Sequence, residues 1–152
     1  MMARYWLMKS EPNDYSIQDL KLDGICSWEG VRNYQARNFM RDEMKVGDKV
    51  LFYHSNAKPS GVAGIAEICR EAHPDMSAFD PNSKYFFPKS SIESPVWFLV
   101  DVKFVKEFSC TLSLDSIKKV PECQDMLLLK KGQRLSIMPI DKKHFDAIVS
   151  HS

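Results

Sequence analysis

Charge of one sign is the first thing this chain does not have in excess. Its 152 residues carry 21 lysines and arginines against 20 aspartates and glutamates. The balance also holds locally, with nine basic and eight acidic residues before Gly64 and 12 of each after it. Sequence-blind duplex binding usually shows a basic stripe. None is demanded here, so any nucleic-acid contact must come from local patches and a specific pocket. Long apolar runs are missing too. No stretch approaches the roughly 18 apolar residues of a membrane span, and Met1 to Trp6 lacks the apolar core of a signal peptide, so no membrane partner is expected. The four cysteines, Cys26, Cys69, Cys110 and Cys123, form no C-x-x-C pair, and the histidines are scattered. Their spacing offers no zinc site, and neither metal nor cofactor is expected. A reducing compartment follows, cytoplasmic or, in a eukaryote, nuclear, with the thiols packed as small hydrophobes.

Catalytic signatures are equally scarce. There is no G-x-S-x-G elbow, no phosphate-binding glycine loop and no H-E-x-x-H pair. Glu11 ends the first apolar segment and His54 the strand around Phe52, and each has a bland reading as well: a surface loop carboxylate and a satisfied strand-end histidine. No nucleophile is paired with a base at a diagnostic spacing, so no catalytic residue is assigned.

What is present is ordinary globular composition, 44% hydrophobic and 27% charged, enough for a real core in one domain over residues 1–152. Ala3 to Met8 reads as a strand. Ser16 and Asp19 stand at capping-box spacing, with Tyr15 and Leu20 as a staple and Gly24 as a stop. Asn33 caps a helix expected to run to about Met44, its apolar face being Ala36, Phe39, Met40 and Met44. Lys49 to His54 reads as a strand in which Val50, Leu51, Phe52 and Tyr53 run without alternation, which predicts burial on both faces. Gly61 to Cys69 predicts a strand with Val62, Gly64, Ala66 and Ile68 on one side, the small residues admitting a close neighbour. Residues 73–94 predict a long irregular excursion. Val96 to Phe108 predicts a strand with Val100, Val102, Phe104 and Phe108 on one face. Ser113 caps a short helix, Leu135 to Ile137 forms a short strand, and Asp141 caps the last helix. The pattern is α+β, with a mixed or antiparallel sheet and peripheral helices.

The richest segment is Trp28-Glu29-Gly30-Val31-Arg32-Asn33-Tyr34-Gln35-Ala36-Arg37-Asn38-Phe39-Met40-Arg41. Between Gly30 and Arg41 lie three arginines and no acid. Aromatic rings interleaved with arginines suit base stacking combined with phosphate contact. Taken singly, Trp28 also suits a core and the arginines a solvated helix face.

These residues resemble the EVE domain family, a PUA-like superfamily member related to YTH domains. The resemblance is carried by Trp6-Leu7-Met8-Lys9-Ser10-Glu11-Pro12, by the segment Trp28 to Asn38, and by Gly47-Asp48 with Phe52-Tyr53-His54-Ser55-Asn56. Pro74-Asp75, Phe79-Asp80, Pro95-Val96-Trp97 and Leu135-Ser136-Ile137 continue it in family order. It implies a PUA-like fold, a mixed, curved pseudo-barrel sheet with flanking short helices. It also implies a non-catalytic reader whose aromatic pocket holds a modified nucleobase of DNA or RNA. The pocket would draw on Lys9, Ser10, Glu11, Trp28, Val31, Asn33, Tyr34, Ala36, Asn38, Tyr53, His54 and Ser55, with Phe79, Trp97 and Leu135 near its rim or wall. Arg32, Arg37, Arg41 and Lys58 are candidates for phosphate. An alternative is an ASCH-like amidohydrolase acting on modified cytidine through Lys9 and Glu11, and a third reading is a pocket for a peptide or small ligand. On the leading reading, Trp28→Ala should abolish preference for a modified base and leave the fold intact.

Overall fold

The computed structural model describes residues 3–152, and its framework is a six-stranded sheet in the order β2-β5-β4-β3-β1-β6. The strands are β1 (Tyr5–Ser10), β2 (Ile25–Ser27), β3 (Lys49–His54), β4 (Gly61–Pro74), β5 (Phe98–Ser113) and β6 (Ile137–Ile140). Only β1 and β3 pair in parallel, from Tyr5↔Lys49 to Ser10↔His54; the other neighbours are antiparallel. The sheet is curved and does not close, and the architecture is α+β. Four short helices flank it: α1 (Ile17–Asp23), α2 (Tyr34–Asn38), α3 (Leu114–Ile117) and α4 (Lys142–His151). Among the described residues no helix is long and apolar enough to cross a membrane.

Each face of the sheet is packed. Trp6, Met8, Val50 and Phe52 point to a cluster shared with Ile17, Leu20, Ala36, Met40 and Trp28. Leu7, Leu51 and Tyr53 point the opposite way, to a cluster with Ile117, Met126, Met138 and Ile148. This is the period of two expected of strands, and it accounts for the unbroken apolar run of β3. Asp48, buried at the start of that strand, accepts hydrogen bonds from Arg4 N–H, Trp6 Nε1–H and Lys45 N–H. A carboxylate with three donors can be buried without a counter-ion.

Local signals produce the expected ends. Ser16 Oγ accepts from Asp19 N–H while the Asp19 carboxylate accepts from Ser16 N–H, and Gly24 closes α1 with φ +79°. Asn33 Oδ1 accepts from Ala36 N–H at 2.9 Å. The helix it starts is shorter than expected: α2 gives way to a π-helical turn over Phe39–Glu43, closed by Met44 N–H on Phe39 C=O at 3.0 Å. The wider turn keeps Met40 and Met44 buried against the sheet.

Two long strands depart from the single-face expectation. Val62 packs on the α3–α4 side, whereas Ala66 and Ile68 pack on the α1–α2 side. Likewise Phe108 lies on the opposite side from Val100, Val102 and Phe104. The cause is a set of register shifts between β4 and β5, including Val62/Gly64 and Ile65/Ala66. These slips are of three residues and of one, and an odd slip reverses the alternation beyond it. Gly64 sits where a Cβ would lie 2.3 Å from Lys106 O and 2.8 Å from Ile17 Cγ1, so α1 seats directly on the bulged strand. The excursion begins later than expected, because β4 continues to Pro74, paired with Phe98. The last strand is Ile137–Ile140 rather than Leu135 to Ile137, although Ser136 C=O still accepts from Lys9 N–H at 2.8 Å.

Candidate nucleic-acid interface

The C-terminal end of β1 opens into a cleft of about 590 Å³, within the usual range for ligand sites of about 300–1,000 Å³. One wall is the β1 end and the following turn, with Lys9, Ser10, Glu11 and Tyr15; facing it is the segment from Cys26 to Arg32. Lys84 and Tyr85, from the irregular stretch after Phe79, complete the rim.

Trp28 is the central aromatic. Its N–H donates to Val100 C=O, so the sheet holds its backbone, and its ring meets Phe52 edge-on at 5.4 Å. It is 8% exposed, and it belongs both to the core and to the cleft lining. That corrects the expectation of an accessible loop indole whose truncation leaves the fold untouched: loss of a mostly buried Trp costs about 3–5 kcal/mol. The polar groups around it differ in how far they are committed. Ser10 Oγ donates to Tyr15 C=O at 2.7 Å and keeps its lone pairs. Glu11 accepts from Asn56 Nδ2. Burial lowers the pKa of Lys9, and its Nζ lies 5.6 Å from the Tyr53 ring centroid. Among the described residues that ammonium has no hydrogen-bonded or ion-paired partner.

Asp75 sets the shape of the second wall. It is fully buried and accepts from Gly30 N–H at 2.8 Å, Arg32 Nη1 at 3.1 Å and Ser77 N–H at 3.0 Å. Burial alone would raise its pKa, but these donors outweigh it and hold the carboxyl below its ordinary value. Arg32 also donates through Nη2 to Tyr85 C=O at 2.7 Å. The Tyr85 ring then lies across Gly30, where an added Cβ would be 2.4 Å from the Tyr85 ring. Only a residue without a side chain, at φ +86°, allows the ring this close.

Of the residues expected at the pocket, Lys9, Ser10, Glu11, Trp28 and Val31 line this cleft together with Arg32. The lining excludes the rest. Tyr53 and Leu135 pack on the opposite face of the sheet. His54 is buried, with Nε2 accepting Ile17 N–H at 3.1 Å, and burial lowers its pKa. Ser55 N–H donates to Ser10 C=O, which ties β3 to the cleft wall from behind. Ala36 is fully buried under α2 and Asn33 caps that helix. Asn38 Oδ1 accepts from Arg37 at Nε and Nη2. Phe79 ends the 3₁₀ turn after β4. Tyr34 and Trp97 stack on one another outside the cleft, at 4.8 Å and 24°. Arg41 forks onto its neighbour Asp42, and Lys58 lines a separate depression with Ser113 and Asp115. Sequence reasoning missed Tyr15, Cys26, Lys84 and Tyr85 at the cleft, and Asp75 behind it. The Gly30 that Tyr85 covers was the one local hint.

A mixed, unclosed sheet with a cleft at the end of its parallel pair defines a PUA-like domain. The model of the EVE domain matches residues 4–151, and the chain belongs to that family. It is 39% identical over 168 residues to human thymocyte nuclear protein 1, which covers 98% of this chain and 74% of that protein. A structure of a hypothetical protein from Leishmania major is 47% identical, with TM-score 0.94, covering 99% of this chain and 94% of that one. Human THYN1 in complex with 5-methylcytosine-containing DNA is 39% identical, with TM-score 0.91, covering 98% of this chain and 97% of that one.

Proposed function

We propose that this protein reads a modified nucleobase, without catalysis, by taking it out of a nucleic-acid strand into the cleft beside Trp28. The supporting observation is the cleft itself: Trp28 in its wall, acceptors at Ser10 and Glu11, and Lys9 at its edge, with the ammonium 5.6 Å from the Tyr53 ring. The 39%-identical human relative bound to 5-methylcytosine DNA favours the same class of ligand here. Acceptors beside a donor match a cytosine-type edge, which presents an exocyclic amine next to ring acceptors. Arg32, Arg37, Arg41 and Lys58 serve the backbone. The compartment is the cytoplasm, or the nucleus in a eukaryote, and residues 1–152 act as one EVE domain.

The energetics set the scale of discrimination. Extruding a base costs a few kcal/mol, and one aromatic platform returns roughly 1–3 kcal/mol. A buried methyl group adds about 0.8 kcal/mol, or severalfold in affinity. Fluorescence anisotropy with matched DNA and RNA oligonucleotides, each carrying cytosine or 5-methylcytosine, tests this. A severalfold or larger methyl preference in one of them is expected, and Trp28→Leu, which keeps apolar bulk but no π-face, should erase it. Equal binding of plain and methylated strands would overturn the reading for this base.

One observation favours a second reading. Lys9 borders the cleft with a lowered pKa and, among the described residues, no ion-pair partner, and Glu11 is nearby in sequence, which suits water attack on an acylated cytidine. Incubation with acylated nucleosides followed by mass spectrometry distinguishes it: release of the acyl group identifies an amidohydrolase.

A further inference from the structure

We propose that the outer face of Tyr34 is a second subsite, a platform on which the nucleobase adjacent to the one in the cleft stacks. The proposal takes its neighbouring base from the cleft reading above. Tyr34 is 56% exposed, although it opens a helix whose one other apolar residue, Ala36, is buried. Its inner face rests on Trp97, which is 3% exposed and is met edge-on by Phe87 at 5.5 Å. A ring backed this way is already ordered, so stacking on it costs little further side-chain entropy.

The position of Arg37 shows which face is free. Its Cζ is 4.9 Å from the Tyr34 centroid and 5.9 Å from that of Trp97, and the two rings are 4.8 Å apart. These separations close a triangle. Were the guanidinium stacked on the far side of Tyr34, it would stand at the sum of the two shorter distances from Trp97. It therefore lies beside the pair and leaves the outer face of Tyr34 uncovered. Arg37 donates from Nε, Nη1 and Nη2 to Asn38 and to Val96 C=O. Of its five N–H groups, one on each terminal nitrogen is left for a phosphate.

Arg32 joins the platform to the cleft. It lines the cleft, and its Cζ stands 5.2 Å from the Trp97 centroid. Cleft wall, indole and platform thus follow one another at separations of 5.2 and 4.8 Å, two steps that consecutive nucleotides of one strand can bridge. The chemistry selects any planar base, without preference among them, since every base offers a π-face.

A double-mutant cycle on short single-stranded DNA tests this. One set carries a 5-methylcytosine with ordinary neighbours, and two others replace the 5′ or the 3′ neighbour with an abasic site. Tyr34→Leu keeps an apolar cover on Trp97, and Tyr34→Phe keeps the π-face. With the intact strand, Tyr34→Leu should weaken binding about 5- to 150-fold, the range set by one stacked base, and Tyr34→Phe should restore it. With one of the two abasic strands, Tyr34→Leu should have no effect. An equal loss on all three strands, or no loss on the intact one, overturns the platform. The ratio of methylated to plain affinity reports the cleft separately. Tyr34→Leu should leave that ratio unchanged, and a ratio of one in the unmutated protein overturns the cleft reading whatever the cycle gives.

Discussion

Asp75, Arg32 and Tyr85 hold the cleft in shape, and each acts through a neighbour. Asp75 gathers Gly30, Arg32 and Ser77 around one buried carboxylate. Removing one partner of such a buried pair leaves an unmatched charge and costs about 3–5 kcal/mol. Asp75→Ala should therefore lower unfolding free energy by that order in urea titrations, and should weaken oligonucleotide binding even where folding persists. Gly30 is the counterpart for Tyr85. Gly30→Ala puts a Cβ into the left-handed conformation Gly30 already holds, costing about 1–2 kcal/mol, and drives that methyl group into the Tyr85 ring. The expected outcome is a modest loss in Tm with a larger loss of base affinity, because the displaced ring is part of the cleft. Asp75→Asn separates charge from shape: it keeps the acceptor for Gly30 but loses the ion pair, and should fall between wild type and the alanine variant.

At the scale of elements, the sequence is most legible where a structure depends on residues close in the chain. The capping box of α1 pairs Ser16 with Asp19, and Ser16→Ala should cost about 1 kcal/mol by thermal or chemical unfolding. The same locality made Asn33, Ser113 and Asp141 readable as helix starts. It made β3 readable too, since the unbroken apolar run from Val50 to Tyr53 has few other homes. What could not be read is non-local. The bulges of β4 are defined by the register of β5, some 40 positions away, so Val62 and Phe108 were placed on the wrong face. Asp75 meets Gly30 across 45 positions, and Tyr85 reaches the cleft from a stretch without periodicity. The cleft was half legible for the same reason. Lys9, Ser10, Glu11, Trp28 and Val31 share it, but Tyr53 alternates to the far face, and His54 is committed to Ile17 N–H.

For the whole molecule, pH and salt act on different parts. His54 must be neutral to accept Ile17 N–H, and burial holds its pKa below 6.5. The unfolded chain therefore takes up a proton first as the pH falls. The stability from the neutral ring is complete above about 6.5 and is lost as the pH drops through that value to the lower folded-state one. Unfolding midpoints measured from pH 8 to 5 should fall over this interval, and His54→Gln should flatten the slope. Binding responds instead to ionic strength. With a formal net charge of +1, attraction to nucleic acid is local. Arg41→Ala should reduce the slope of log affinity against log salt by about 0.7–0.9 if Arg41 contacts one phosphate.

The two sides of the cleft are built to different standards of permanence. Trp28 is moored to β5 through Val100, whereas Tyr85 arrives on a stretch that pairs with no strand and is tied to the wall through its carbonyl and Arg32. Exchanging the side chains at Lys84 and Tyr85 would consequently widen or narrow the aperture without disturbing a single rung of the sheet. Acceptance of bulkier substituents on a base becomes a trait that evolution, or an engineer, could retune there while the scaffold stays as it is.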